Sequence, residues 1–188
     1  SGINLLIDIQ NCIKAQESKG YEHWSKIYNL KQASRTLNFL TENNLTTYED
    51  LEKAADKILS DFDMLTQKIK AAERQINENA MLIKQLEIYW QYRPIYLKLQ
   101  KVKNKEGFTR KFQRELILYE AAERNLKGKN PPPLETLIKD NGELSERKAK
   151  LYEEYKKLKS KAAEIEVIRS NVDTLLNRPR ERNPEIEK

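Results

Sequence analysis

Apolar residues recur at alternating steps of four and three along two long stretches of the chain. This pattern predicts two long helices that pack through heptad seams. The first seam holds Leu51, Ala55, Ile58, Phe62, Leu65, Ile69, Ala72, Ile76, Asn79, Ile83, Leu86 and Trp90. The second follows a run of three prolines and holds Leu137, Asn141, Leu144, Lys148, Leu151, Tyr155, Leu158, Ala162, Ile165, Arg169, Val172 and Leu176. Each stretch covers roughly 45 residues, or about 65–70 Å of helix.

The thirty residues 101–130 join the two stretches. An antiparallel pair within one chain explains this arrangement economically, whereas a parallel coil between two copies leaves the connector hanging from the end of a dimer. The expected fold is therefore all-α. It is a long antiparallel two-helix coiled-coil rod with an N-terminal helical hairpin at one end and a basic helical tip at the other.

Shorter signals surround the seams. Residues 3–16 and 21–43 predict two helices, and a pair of asparagines ending at Asn44 favours a helix end, since asparagine tolerates the left-handed conformation. Thr47 followed by Asp50 has the spacing of a capping box, which predicts the start of the first long helix. The predicted segments are the N-terminal hairpin 1–46, the arms 47–100 and 131–178, the basic tip 101–130 and a polar tail 179–188.

The proline and glycine positions refine the connector. Pro94 predicts a kink or the start of a new helical segment, because proline removes a backbone hydrogen bond inside a helix. Glu106 and Gly107 predict a turn, and residues 108–126 then predict a second short amphipathic helix.

Composition agrees with long helices that bury one stripe, since 38% of residues are hydrophobic, 34% are charged and the mean hydropathy is −0.84. No stretch approaches the roughly 18 apolar residues of a membrane span. The single cysteine, Cys12, excludes an internal disulfide. Ser1-Gly2 in place of an initiator methionine indicates a cut fragment of a longer protein. We expect a soluble cytoplasmic fragment with no membrane partner.

Positive charge is concentrated in the connector. Residues 101–130 hold nine basic and four acidic side chains, so five of the six net charges lie there. Convergent cations favour phosphate binding, and the candidate DNA-binding residues are Lys101, Lys103, Lys105, Arg110, Lys111 and Arg114. The alternative is a solvated lysine-rich turn. Phe108 and Phe112 could stack on exposed bases of a nucleic acid. The alternative, favoured by their i, i+4 spacing, is that they pack together as a small core.

Catalytic chemistry is not indicated by the residues. His23 is the only histidine, so no histidine cluster can hold a metal, and there is no glycine-rich phosphate loop. We expect no cofactor and no enzymatic activity. Arg178, Arg180 and Arg182 sit among prolines and glutamates in the tail, which favours a polar linker over a phosphate contact.

Several quoted runs resemble a known family. NLLIDIQ, YEHWSKIYNLKQASRTLNFLTENN, TTYEDLEKAADKI, QKIKAAERQI and NVDTLLN together cover nearly the whole chain. They resemble the region downstream of the nuclease domain in relaxases, the mobilisation proteins of Gram-positive conjugative and mobilisable elements. That nuclease domain nicks DNA with a tyrosine and a histidine-bound metal. No residue here matches that motif, so the resemblance implies no catalytic residue in this chain.

The resemblance implies a non-catalytic accessory module that supports relaxosome assembly. Its partner would be the relaxase nuclease domain or another transfer-machinery protein such as the coupling protein, and the basic tip adds DNA backbone as a further candidate. Tyr21, Trp24 and Tyr28 are candidates for a protein-docking surface, and the alternative is that they staple the N-terminal helices to the base of the rod. The competing function is a coiled-coil homodimer or scaffold unrelated to DNA transfer.

The rod predicted from the seams is tested by solution scattering. Two antiparallel helices of this length give a maximum dimension of about 70–90 Å. A maximum dimension near that of a compact 22.2 kDa globule contradicts the prediction.

Overall fold

The computed structural model describes residues 4–17 and 24–176, and it describes side chains over 4–15 and 30–176. These residues form six helices and contain no strand. The helices are α1 (Leu5–Glu17), α2 (Trp24–Glu42), α3 (Tyr48–Leu99), α4 (Lys105–Lys111), α5 (Gln113–Leu126) and α6 (Leu134–Leu175). The predicted all-α fold with two long helices is confirmed.

The chain divides into two compact units. The first unit comprises Ser1–Leu65 and Glu154–Lys188, and the second comprises Thr66–Glu153. Helices α3 and α6 contribute to both units, while α1 and α2 belong to the first and α4 and α5 to the second. The predicted division into hairpin, arms, tip and tail follows different boundaries and stays a prediction.

The core of the first unit is built by four helices. Helix α1 packs against α2, and the side chains that bury themselves between α1, α2, α3 and α6 are aliphatic, as expected where amphipathic stripes meet. The buried residues are Leu5, Ile9, Ala33, Leu40, Leu51, Ala55, Ile165, Ile168 and Val172. Both short predicted helices are therefore part of one core with the ends of the two long helices.

In the first unit, α3 and α6 run antiparallel. Arg169 donates two hydrogen bonds to the Glu52 carboxylate, from Nε at 3.0 Å and from Nη2 at 2.8 Å. Farther along α3, the Phe62 ring stacks on Tyr155 with centroids 5.0 Å apart. Because the partner's number falls as the number along α3 rises, the pairing is an antiparallel hairpin within one chain. The bidentate geometry adds directional specificity to this pairing.

In the second unit the same pairing continues between Glu73 and Lys148, whose Oε1 and Nζ atoms lie 3.3 Å apart. Asn79 is buried on the seam, with 6% of its surface exposed, and Gln75 Nε2 donates to its Oδ1 at 2.9 Å. Asn141 Oδ1 is buried without a hydrogen-bond partner. The seam therefore carries a polar residue on each helix. Asn79 is hydrogen-bonded within α3, whereas the side-chain oxygen of Asn141 in α6 has no hydrogen-bond partner.

Trp90 departs from the predicted first seam, because 57% of its surface is exposed. Glu73 faces Lys148 in antiparallel register, so Leu134, the first residue of α6, falls opposite Glu87. Trp90 lies one turn beyond that point, where α6 no longer covers α3. The prediction that Trp90 is a seam residue is wrong because the partner helix ends before reaching it.

The predicted helix boundaries before α3 are confirmed. Asn44 has a φ of 53°, the left-handed conformation that ends α2. Thr47 and Asp50 form a reciprocal capping box. The Asp50 amide donates to Thr47 Oγ1 at 3.0 Å, and the Thr47 amide donates to Asp50 Oδ2 at 3.3 Å. The hydrogen bonds from Thr47 hold the pKa of the Asp50 carboxyl below its usual value.

The structure refines two predictions about the connector. Helix α3 continues through Pro94 to Leu99, so no new helical segment starts at the proline, and the alternative of a kink there stays a prediction. Gly107 lies inside α4 and does not form the turn, which falls at residues 100–104. Asn104 Oδ1 caps α4 by accepting from the Gly107 amide at 3.0 Å, and a Cβ on Gly107 would lie 2.6 Å from Asn104 Nδ2. The glycine therefore serves the cap, and the helix begins before it.

A polar contact in the first unit joins α2 to α6. Thr36 is fully buried, and its hydroxyl donates to the Gln32 carbonyl at 2.7 Å. The hydroxyl oxygen in turn accepts from Asn171 Nδ2 at 3.1 Å. Asn171 Nδ2 also donates to Gln32 Oε1 at 3.2 Å. The hydroxyl of Thr36 is thus a buried link between two helices.

We predict that Thr36→Val lowers the free energy of unfolding by about 1 kcal/mol, because the isosteric change removes an acceptor from a partly buried amide. The measurement is urea unfolding followed by circular dichroism. Thr41→Val is the matched control, since Thr41 is exposed and its hydroxyl donates only one described bond, to the Leu37 carbonyl at 2.7 Å. Equal stability changes in the two variants contradict a role for the Asn171 contact.

Candidate nucleic-acid interface

The six basic residues predicted to bind DNA are all exposed and all belong to the second unit. They lie in the turn after α3, at the two ends of α4 and in the first turn of α5: Lys101, Lys103, Lys105, Arg110, Lys111 and Arg114. Because none of them is needed to fill a core, their charges face solvent. We call residues 101–114 the basic segment.

Within the basic segment, Arg110 forms an ion pair with Glu106 across one turn of α4. Their Nη2 and Oε1 atoms lie 2.8 Å apart, and their side chains are 75% and 82% exposed. Exposed pairs of this kind contribute about 0–1 kcal/mol. The carboxylate therefore orients the guanidinium without holding it strongly, and a phosphate can compete for it.

The two phenylalanines of the segment pack on each other. The rings of Phe108 and Phe112 lie 4.6 Å apart at 42° and are half-buried, and Lys111 Nζ lies 5.4 Å from the centre of the Phe112 ring. This geometry favours the small-core interpretation over base stacking. The pair covers the junction at which α4 meets α5.

Helix α5 is anchored on α3 by stacked tyrosines. Tyr119 is fully buried, and its ring stacks on Tyr89 at 5.2 Å and on Tyr96 at 4.6 Å. Asn125 Nδ2 donates to Gln85 Oε1 at 3.2 Å, one step farther along the antiparallel contact. Such aromatic pairs contribute about 0.5–1.5 kcal/mol beyond their buried area. They fix α5, and with it Arg114, on the second unit.

Arg93 completes this cluster. Its Nη1 atom donates to the hydroxyls of Tyr89 and Tyr119, the latter at 3.4 Å. Its guanidinium carbon lies 5.3 Å from the centre of the Tyr89 ring and 5.8 Å from that of Trp90. The guanidinium is thus held between aromatic rings, an arrangement favoured by cation–π attraction.

The aromatic cluster was missed by sequence reasoning. The run YWQYRPIY places Tyr89, Arg93 and Tyr96 at i, i+4 and i+7, on one face of α3. Tyr89 and Tyr96 flank the heptad seam, and the next heptad step after Trp90 falls on Arg93. A second apolar stripe in the last turns of α3 is the signal that indicates a further helix packing there.

The side chains of the three predicted protein-docking residues lie outside the described part of the chain. Tyr21 lies outside the described residues. Trp24 and Tyr28 lie in α2, but their side chains fall outside the described part of the chain. His23 and the tail arginines also lie outside it. The docking surface stays a prediction.

Within the described ranges, no group of three or more histidine, cysteine or acidic side chains is placed to hold a metal ion. None of the helices described is both long and apolar enough to cross a membrane.

Comparison of the chain with protein-family models, with curated proteins and with solved structures finds no match. The resemblance to relaxases therefore stays an expectation.

The aromatic cluster predicts a late tyrosine ionisation. Burial, aided by the neighbouring Tyr89, raises the pKa of Tyr119 from about 10 to about 12. In the first unit, burial and then the Glu52 and Asp173 carboxylates raise the pKa of Tyr48 to about 12 as well. Since the folded state favours the neutral phenols, their stabilisation is complete below about pH 10 and is lost as the pH rises to about 12.

We expect an ultraviolet titration of phenolate to show late ionisation of Tyr119 and of Tyr48 while helicity persists. Tyr119→Phe removes one of them and Tyr48→Phe removes the other. Circular dichroism at each pH separates ionisation in the folded chain from ionisation after unfolding. An unchanged late step in both single variants contradicts the assignment.

Proposed function

We propose that this chain is a non-catalytic helical interaction module of a relaxase, acting in the cytoplasm, and that its basic segment binds DNA backbone near the transfer origin. The observation that carries the DNA contact is the exposure of all six cations in the region that holds five of the six net charges. The link to relaxases rests on the sequence resemblance.

The charge distribution suits a phosphate backbone. Each cation that neutralises a phosphate releases condensed counterions, so binding is driven largely by the entropy of that release and weakens as the salt concentration rises. Backbone contacts carry no sequence information by themselves. The expected interaction is weak to moderate and nearly indifferent to sequence, as befits a module that helps hold a complex whose specificity resides elsewhere.

The packing of the seams supports an accessory module over a seam-mediated dimeriser. Within each unit the seam side chains of α3 contact those of α6 in the same chain, as the Phe62–Tyr155 stack illustrates. A parallel coil between two copies needs those same side chains. The remaining role proposed for the module is to contact the relaxase nuclease domain or another transfer-machinery protein.

The test reverses four cations of the basic segment to glutamate: Lys103, Lys105, Arg110 and Lys111. We expect duplex DNA binding to be abolished while helicity and melting temperature stay almost unchanged, because these side chains lie off the seams. If the wild type engages about four phosphates, its log–log salt slope lies between about −3 and −4. Fluorescence anisotropy of a labelled duplex across a salt series measures both quantities.

The matched control reverses four exposed lysines on α6: Lys139, Lys150, Lys159 and Lys161. This variant has the same net charge as the first. We expect it to keep most of its affinity for DNA, because it weakens only the long-range electrostatic attraction and leaves the contacts of the basic segment intact. Equal loss in both variants, or no binding by the wild type at about 50 mM salt, overturns the proposal and leaves the segment a solvated turn.

A further inference from the structure

Trp90 is a large aromatic side chain exposed where α6 stops covering α3. More than half of its surface, 57%, is exposed. Tyr89 meets the indole edge-on, with ring centres 5.1 Å apart and planes at 87°. The Arg93 guanidinium lies 5.8 Å from the indole centre. The ring is thus bordered by protein groups while much of its surface faces solvent.

The surroundings of Trp90 are fixed before any ligand arrives. Arg93 is held by the hydroxyls of Tyr89 and Tyr119, and Tyr119 is buried between α3 and α5. A group already ordered in the free protein loses little conformational entropy on binding. Trp90 is therefore better suited to recognition than a side chain on a mobile loop.

Trp90 also lies within reach of the basic segment, in the same unit. Leu99, the last residue of α3, lies nine positions after Trp90, a distance of about 14 Å along the helix axis. Lys101 follows directly after the end of the helix. A short stretch of single strand can therefore reach from Trp90 to the basic segment.

We propose that Trp90, together with Arg93, is a stacking platform for an unpaired base of single-stranded DNA whose backbone lies on the basic segment. This inference rests on the proposed function and deepens it by naming the form of DNA that is bound. Bases stack on aromatic side chains in a sequence-tolerant way. A base inside a duplex already has neighbours on both faces, so it is not open to the indole.

Charge decides between this occupant and an apolar one. A cation beside the indole favours a polyanion and disfavours the apolar face of a partner helix, which would desolvate Arg93 without neutralising it. The neighbouring residues 101–130 add a net charge of +5. A second copy of this chain brings the same positive charge and is repelled.

The experiment uses the full chain with Trp24→Phe, so that Trp90 is the only tryptophan. We expect an oligothymidine single strand to quench Trp90 fluorescence as its base stacks on the indole. A strand of equal length and charge built from abasic nucleotides keeps the backbone contacts but offers no base. It binds more weakly and leaves the fluorescence unchanged.

Substitution gives an independent readout. Trp90→Ala should weaken binding to oligothymidine by about 5- to 100-fold, the loss expected for one stacked base, and should leave duplex and abasic affinities unchanged. Trp90→Phe should retain much of the affinity. Met81→Ala is the matched control, because Met81 is an exposed apolar residue of α3 in the same unit, 71% exposed, and its loss should not alter binding.

The outcomes separate the two proposals. If the basic segment binds duplex, abasic and normal strands equally and Trp90→Ala changes none of these affinities, the stacking platform is overturned and the proposed function stands. If no form of DNA binds, both fail. If Trp90→Ala instead abolishes concentration-dependent self-association and fluorescence does not respond to bases, the exposed indole belongs to a contact between copies, which also overturns the platform.

Discussion

The rest of the structure depends on one constraint, which is that α3 and α6 must each bury a stripe that neither can bury alone. A helix with one apolar stripe gains most of its stability from packing. In each unit the stripe of α3 meets the antiparallel stripe of α6, and further helices attach to the flanks of that pair. Arg169 and Glu52 fix the pairing at one place by a two-pronged contact, so its register is set by polar geometry as well as by apolar area.

The pairing of α3 with α6 stops before the end of α3, and this explains the packing of α5 and the exposure of Trp90 in the second unit. Helix α6 begins at Leu134, and α3 extends for three more turns beyond the register partner of that residue. There, α5 takes over the burial of α3 on a different face, using Tyr119. The face of α3 that α6 covers elsewhere is uncovered here, so Trp90 is exposed to solvent. An exposed tryptophan is thus a consequence of unequal helix lengths.

Sequence periodicity predicted the seams and caps because these depend on local spacing. The heptad steps identify which side chains of α6 turn inward, and Thr47 with Asp50 marks the start of α3. The same periodicity cannot reveal where a partner helix ends, so it assigned Trp90 to the core. Glu106 and Gly107 were predicted to form a turn because glycine is common in turns. In the structure Gly107 instead donates to the Asn104 side chain that caps α4. Both errors arise where tertiary or capping contacts override a local preference.

Tyr119 links the two halves of the candidate interface. Its buried ring holds α5, which carries Arg114, and its hydroxyl accepts from Arg93, which borders the indole of Trp90. The cations themselves lie off the seams, so their number can vary with little cost to the fold. The position of the cations relative to the Trp90 indole cannot vary as freely, because Tyr119 holds both α5 and the Arg93 guanidinium beside that indole. If one ligand contacts both the basic segment and Trp90, the packing of Tyr119 is therefore required to hold the two at a fixed distance.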